Sequence, residues 1–272
     1  AVRKSLGDQE LLFVFRSQRH AIPFSICFGF RSQIHRHIKY SAAHHANEWI
    51  TTPLLLKFAE EYAKAYAAGE RLYGVHTSFL YENFSLYLMP MVNPDGVDLV
   101  NGEIDGGAYY ELAKRISGDY PAIPFPSGWK ANINGVDLNL QFPAGWENAR
   151  EIKYEQGFTS PAPRDFVGTA PLSQPESIAV YRFTTQHEFR LILAYHTQGE
   201  VIYWKYLDYN PRQAARIARY FGAVSGFAQW VTGLLDKFTE LHRESLDISV
   251  LREFLDWPEP FRFGGGEKLP GG

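Results

Sequence analysis

His45 and Glu48 stand two residues apart in Ser41-Ala42-Ala43-His44-His45-Ala46-Asn47-Glu48-Trp49-Ile50-Thr51-Thr52-Pro53, a stretch whose residue types could hold a metal ion. Zinc takes an imidazole nitrogen or a carboxylate oxygen at about 2.0–2.2 Å, and a catalytic zinc uses three protein donors with a fourth position left for water. Two donors could come from this stretch. A third candidate is His196, which closes the apolar run Leu191-Ile192-Leu193-Ala194-Tyr195, because open α/β sheets place their sites beyond the carboxyl ends of strands. The competing reading of each histidine is a buried neutral ring satisfied by backbone or by a glutamate at a helix start. Asp137, in Gly135-Val136-Asp137-Leu138-Asn139, is either a turn residue or the carboxylate that receives the other ring hydrogen of a metal-bound histidine. His35, His37 and His44 lie close by in a basic stretch and are expected to be solvated.

These side chains are far apart in the chain, so strands and helices must bring them together. Apolar patterning predicts strands over residues 10–15, 25–30 and 38–43, the last delivering the His-Glu pair at its end. A helix should follow, with Thr52 as N-cap and Pro53 at the first helical position; Leu55, Phe58, Tyr62 and Tyr66 form its buried stripe and Gly69 its end. Residues 84–92 are almost continuously apolar, as in a strand covered on both faces, and stop at a turn sequence, Asn93-Pro94-Asp95-Gly96. A short helix is expected near 108–116 and a turn into a short strand over 134–139, with a long surface loop over 143–174. A helix over 175–187, a strand over 191–196, an extended stretch over 201–206 and a helix over 211–227 complete the pattern. Alternation of this kind predicts an α/β fold with a mixed, mostly parallel central sheet and helices on both faces.

With 272 residues, 45% hydrophobic and 21% charged, the chain is expected to form a single domain, residues 1–272. A net charge of -3 gives no reason to expect nucleic acid or an anionic membrane as partner. Cys27 is the only cysteine, so no internal disulfide can form, and no apolar run reaches the roughly 18 residues of a membrane span. The opening Ala-Val-Arg-Lys-Ser-Leu-Gly-Asp has neither an initiator Met nor a signal peptide's apolar core, which suggests a processed chain or an excised domain. Cytoplasmic and wall-associated locations stay open, as does the oligomeric state.

Four motifs in order resemble the zinc carboxypeptidase family, the metallopeptidases with the carboxypeptidase A fold. They are His-Ala-Asn-Glu at 45–48, Asn-Pro-Asp-Gly at 93–96, Gly-Val-Asp-Leu-Asn at 135–139 and Tyr-His-Thr-Gln at 195–198, within a likeness running from about residue 38 to 227. The resemblance implies an α/β/α sandwich with one zinc ion held by His45, Glu48 and His196. It further implies that Asp137 orients His45, that Lys130 polarises the scissile carbonyl and that Asn139 binds substrate near the cleaved bond. One departure is informative. Carboxypeptidases of this family follow the motif's Asn with an Arg that grips the free terminal carboxylate as a bidentate partner. Here the chain reads Asn139-Leu140-Gln141. Leucine cannot hold a carboxylate, and together with the residues flanking His45 and His196 this is similar to the bacterial γ-D-glutamyl-L-diamino acid endopeptidases, which act on peptidoglycan stem peptides. Two other functions stay open: a carboxypeptidase with a replacement cation, and an inactive module that binds wall peptide.

The family also carries a general-base glutamate in Phe-Thr-x-Glu near the C-terminus. That motif is missing here. Glu259 is the nearest carboxylate by position, and Glu240 in Phe238-Thr239-Glu240 has similar letters but comes about twenty residues early. The flanks, 1–37 and 228–272, fit the family pattern poorly and are expected to be divergent or wrongly read sequence.

Overall fold

The computed structural model describes residues 2–6, 9–13, 24–28, 36–198, 202–203, 216–219 and 221. By its contacts the chain divides into two units, Ala1–His196 and Thr197–Gly272, and every element named below belongs to the first. The strands are β1 (Val2–Leu6), β2 (Gln9–Phe13), β3 (Phe24–Phe28), β4 (Arg36–Ser41), β5 (Arg71–Leu72), β6 (Val75–His76), β7 (Phe84–Met91) and β8 (Phe189–Ala194). The helices are α1 (Thr51–Ala67), α2 (Thr77–Asn83), α3 (Pro94–Asn101), α4 (Gly107–Gly118), α5 (Trp146–Glu155) and α6 (Pro175–Thr185). A six-stranded sheet runs in the order β1-β2-β3-β7-β4-β8, while β5 and β6 form a small separate hairpin. The sheet is mixed, as expected from the alternating pattern: β7, β4 and β8 are parallel, and β1, β2 and β3 continue it antiparallel from the other side of β7.

The long apolar run of β7 is explained by cover on both faces. Successive strand residues point to opposite sides. Leu88 packs with Ala59 of α1 and with Tyr40 and Phe58, while Met89, one residue on, packs with Val180 of α6. Lys39 lies on the α6 side, where its Nζ donates to Thr184 Oγ1 at 2.5 Å and burial pushes its ammonium down to about 8. Helices thus sit on both faces, as expected. Among the described residues no helix is long and apolar enough to cross a membrane.

The parallel register decides where the site can be. Ser41 lies opposite Met89 of β7 and Ala194 of β8, so β4 and β8 end level with one another and β7 runs two residues further. Main-chain bonds continue past those ends: Ala42 N donates to Met89 O at 3.0 Å, Asn93 N to Ala43 O at 3.0 Å and Tyr195 N to Ser41 O at 2.8 Å. His45 and His196 therefore leave the sheet at the same edge.

Several sequence expectations are corrected. Helix α1 begins at Thr51 with Ile50 at the N-cap, not at Thr52. The threonine hydroxyls serve the strand ends instead: Thr51 Oγ1 accepts from Ala43 N at 2.9 Å and donates to Glu48 O at 2.8 Å, and Thr52 Oγ1 donates to Pro90 O at 2.5 Å. Pro53 remains in the first turn, where a missing amide hydrogen has no cost. Asn93-Pro94-Asp95-Gly96 is not a simple turn but the start of α3, with Asn93 Oδ1 capping Gly96 N at 3.1 Å and Pro94 at the first position. At Gly96 a Cβ would stand 2.5 Å from Asn93 Oδ1 and 2.7 Å from Ala131 O, which is why that position takes glycine. Residues 134–139 do not enter a strand; Asp137 Oδ1 accepts from Asn139 N at 3.1 Å and turns Leu138–Leu140 into a single 3-10 turn.

Residues 143–174 are not a surface loop. They contain α5 and a buried return that includes Ala162, Phe166 and Val167. Periodicity missed α5 because Trp146 is its only buried residue. Buried Gln141 gathers the return: its Oε1 accepts from Ser173 N at 2.8 Å and Gln174 N at 3.2 Å, and its Nε2 donates to Val167 O and, at 3.3 Å, to Ala170 O. The extended stretch expected over 201–206 and the helix over 211–227 fall mostly outside the described residues, of which 216–219 and 221 are helical.

Asn93 is buried at the junction of these segments, its Nδ2 donating to His44 O at 3.3 Å, Lys130 O at 3.4 Å and Ala131 O at 3.0 Å. Replacing it leaves those carbonyls and the Gly96 amide without their shared partner. Asn93→Ala is expected to destabilise the protein by about 2–4 kcal/mol, read as a lower midpoint in urea denaturation with the slope unchanged.

Candidate metal centre

The approach to the centre is set by backbone. His45 is extended (φ -95, ψ 135) and precedes a 3-10 turn over Ala46–Glu48. That turn brings residue 48 back over residue 45, with Glu48 N donating to His45 O at 3.2 Å. Its outer edge pairs with the segment that carries the cation: Ala46 N donates to Lys130 O at 3.0 Å and Asn47 N to Trp129 O at 3.1 Å. The indole of Trp129 is fully buried and bonds Asn132 O through Nε1 at 3.1 Å, fixing that segment from behind.

The three expected donors converge. His45 Nδ1 is 3.0 Å from Glu48 Oε1, His196 Nδ1 is 2.8 Å from Glu48 Oε2, and the two Nδ1 atoms are 3.3 Å apart. One ligand atom from each residue lies within 4.8 Å of the others. Four donors arranged tetrahedrally about zinc at roughly 2.0–2.1 Å are separated by about 3.3 Å, so this donor set fits the ion in kind and spacing. Glu48 is 1% exposed and His45 9%, whereas the His196 side chain is 27% exposed, so the centre opens on the His196 side.

Asp137 is where the sequence placed it, with Oδ1 3.3 Å from His45 Nε2. Its other oxygen accepts from Asp165 N at 3.1 Å. A hydrogen on Nε2 directed at Asp137 leaves the Nδ1 lone pair for a metal. Lys130 Nζ is 3.5 Å from Glu48 Oε1, beside the donors. Asn139 is exposed and is tied to the centre through its amide and Asp137. Glu259 and Glu240 both lie outside the described residues.

The expectation that the neighbouring histidines are solvated is corrected. His44 is buried, with Nε2 3.1 Å from Ser41 Oγ and its ring stacked on His196 at 5.8 Å. Burial, followed by the charges of His196, Lys39 and His45, pushes it down to about 3, so it is a neutral prop at physiological pH. His37 is half-buried against Tyr87, His187 and Phe189. His35 lies outside the described residues. The basic letters around these histidines concealed that β4 is an inner strand. Asp165 was missed as a support of the centre, since nothing local in the sequence links it there, and Asn93, though part of a family motif, was not foreseen to bond the segment that carries Lys130.

The electrostatics favour a cation. Burial opposes charge on His45, but hydrogen bonds that the ring donates to Asp137 and Glu48 outweigh it and raise the ring to about 9. Burial likewise opposes charge on Glu48, yet bonds to His196 and His45 hold its carboxyl well below the usual carboxylate range. Two carboxylates around one imidazole thus create a place for positive charge, which a divalent ion supplies. Because a metal must displace the His45 proton, zinc affinity is expected to rise about tenfold per pH unit below about 9 and to level above it, as chelator competition would record. Asp137→Asn, which spoils the tautomer of His45, is expected to weaken zinc binding by roughly 10- to 100-fold in the same assay.

Comparison with known proteins bears on the same residues. Residues 26–228 match the family model described as zinc carboxypeptidase. The chain is 45% identical over 196 residues to γ-D-glutamyl-L-diamino acid endopeptidase 1 of Lysinibacillus sphaericus, covering 71% of this chain and 47% of that protein. It is 40% identical over 221 residues to uncharacterized protein YqgT of Bacillus subtilis strain 168, covering 81% and 54%. The chain therefore spans about half the length of these curated relatives. Among solved structures, thrombin activatable fibrinolysis inhibitor superposes with a TM-score of 0.51 at 18% identity over 80% of this chain and 49% of the other, a likeness of fold. Since the family match extends from residue 26 to residue 228 of 272 and takes in all three converging donors, the chain belongs to the zinc carboxypeptidase family.

Proposed function

We propose that this protein is a zinc-dependent peptidase that hydrolyses the γ-D-glutamyl–diamino acid bond of peptidoglycan stem peptides. The observation that carries the reading is the convergence of His45, Glu48 and His196, from chain segments about 150 residues apart, on one point open to solvent. The choice of substrate is supported by Leu140, which stands where carboxypeptidases of the family place a carboxylate-binding arginine, and by the similarity to the Lysinibacillus sphaericus endopeptidase.

In this reading His45, Glu48 and His196 hold one zinc ion, and Asp137 keeps His45 in the ligating tautomer. Zinc, when bound, supplies a Lewis acid that activates water and polarises the scissile carbonyl. Lys130 is buried with its ammonium beside Glu48, so it meets negative charge as it develops on the carbonyl oxygen, an effect worth about 3–4 kcal/mol for a well-placed donor. Asn139 binds substrate next to the cleaved bond. Glu259 takes the proton of the attacking water and hands it to the leaving amine. Leu140 offers no charge to a terminal carboxylate, so the substrate can continue past the residue that follows the scissile bond.

The test is to offer γ-D-glutamyl-diaminopimelate muropeptides beside N-blocked peptides with free C-termini. Cleavage of the muropeptides, abolished by a chelator and restored by zinc, is expected. Preference for the N-blocked peptides would make the protein a carboxypeptidase, and stoichiometric zinc without cleavage of either would make it a wall-peptide-binding module. Lys130→Ala is expected to lower kcat roughly 10²- to 10³-fold with zinc content unchanged. Glu259→Gln is expected to remove most of kcat with zinc content likewise unchanged; activity kept in that variant and lost in Glu240→Gln would transfer the proton-carrying role to Glu240.

A further inference from the structure

Leu140 leaves the expected substrate site without a cation, and the described residues hold another on a segment bonded to the one that carries Lys130 and Asp137. Residues 163–166 run along the segment that carries Lys130 and Asp137. Pro163 O accepts from Lys130 N at 2.8 Å and Ala131 N at 2.9 Å, Asp165 N donates to Asp137 Oδ2 at 3.1 Å, and Asp137 N donates to Phe166 O at 2.8 Å. Arg164 is thus bracketed between a residue bonded to the amide of Lys130 and one bonded to the carboxylate that contacts His45. Nothing in its own sequence neighbourhood points there.

Its side chain is anchored through one nitrogen. Arg164 Nε donates to Asp165 Oδ2 at 2.6 Å, and Lys153 Nζ holds Asp165 Oδ1 at 2.6 Å. One carboxylate is therefore shared by two cations, and the trio retains a net positive charge. Asp165 adopts a left-handed backbone (φ 67) that serves both contacts: its amide reaches Asp137 while its carboxylate holds Arg164 and Lys153. The Arg164 side chain is 40% exposed, and among the described residues its two Nη groups have no partner. A guanidinium anchored through Nε, with its terminal fork open to solvent, presents the bidentate geometry that a carboxylate fits. Lys153 is the more buried of the two cations, at 23%, and its ammonium is bonded to Asp165 and, at 3.1 Å, to Gln156 Oε1.

We propose that Arg164 is a specificity-determining binding residue that receives a free carboxylate of the substrate on the acyl side of the scissile bond. The acyl side follows from the attachment of its segment to Lys130, the residue that meets the carbonyl oxygen. The inference rests on the peptidase reading above. A γ-linked glutamyl residue retains just such a group, its α-carboxylate, a few bonds from the scissile carbonyl, whereas an α-linked acyl residue other than Asp or Glu carries no carboxylate. Arg164 therefore selects carboxylate-bearing acyl groups by charge, the γ-linked glutamyl among them, in place of the terminal carboxylate that an arginine at position 140 would select.

The experiment uses the full zinc-loaded chain and two substrates, γ-D-glutamyl-diaminopimelate with the glutamyl α-carboxylate free and the same compound with that group amidated. The wild type is expected to favour the free acid by roughly 10- to 100-fold in kcat/KM, carried mainly by KM. In Arg164→Gln that ratio should collapse toward one. Arg164→Lys, which keeps the charge but not the fork, should fall between the two, with zinc content unchanged in both variants. A wild-type ratio near one, or a ratio in Arg164→Gln as large as in the wild type, overturns the subsite and leaves the hydrolase reading standing. Failure of the wild type to cleave either compound overturns that reading and the subsite with it.

Discussion

A carboxylate with almost no exposure, Glu48, sits between two imidazoles and an ammonium, and the surrounding structure can be understood as what that burial requires. An ionised group removed from water is tolerated only when its charge is matched and its oxygens are bonded. Here His45 and His196 take one oxygen each and Lys130 adds an ammonium at 3.5 Å. None of these partners is local except His45, so the carboxylate can be buried only when β4, β8 and the segment around residue 130 are all in place. Folding and the assembly of the centre are in this sense one event.

Behind the donors lies a layer of buried amides and carboxylates whose partners are mostly backbone. Asn93 bonds three carbonyls and an amide, Gln141 gathers residues 167–174, and Asp137 receives two amides as well as the His45 ring. Such groups are costly in an apolar interior when half satisfied and strongly directional when fully satisfied. Their effect is to hold irregular backbone, beyond the strand ends, as firmly as a strand would. The donors can therefore sit on short turns without losing their spacing, and the chain needs no regular element at residues 129–137 to fix Lys130 and Asp137.

Charge around the centre divides into charge that is spent and charge that is left over. Asp137 and Glu48 raise the proton affinity of His45 and so favour a cation at the centre. Neighbouring His44 is kept neutral by burial and adds bulk without charge. Farther out, Asp165 balances one of the two cations beside it, which leaves a single positive charge facing solvent beside the loop that orients Asp137.

Much of this was legible in the letters. Strands β4, β7 and β8 announced themselves through apolar runs, the helix after Glu48 through its stripe, and His45, Glu48, His196, Asp137 and Lys130 through motif spacing in the correct order. What was misread shares one cause. Local pattern reports a residue's sequence neighbours, whereas Thr52, residues 143–174 and His44 are each governed by partners from elsewhere: Pro90 O for Thr52, Gln141 and Trp146 for the return, the His196 ring for His44. The sequence by itself determined the donor types and the alternation that makes an α/β sheet, since both depend on side-chain chemistry and short-range periodicity. The level endings of β4 and β8 alongside β7, and with them the 3.3 Å between two rings some 150 residues apart, were decided only by the tertiary structure, because strand register is a property of pairs of segments and not of any one of them.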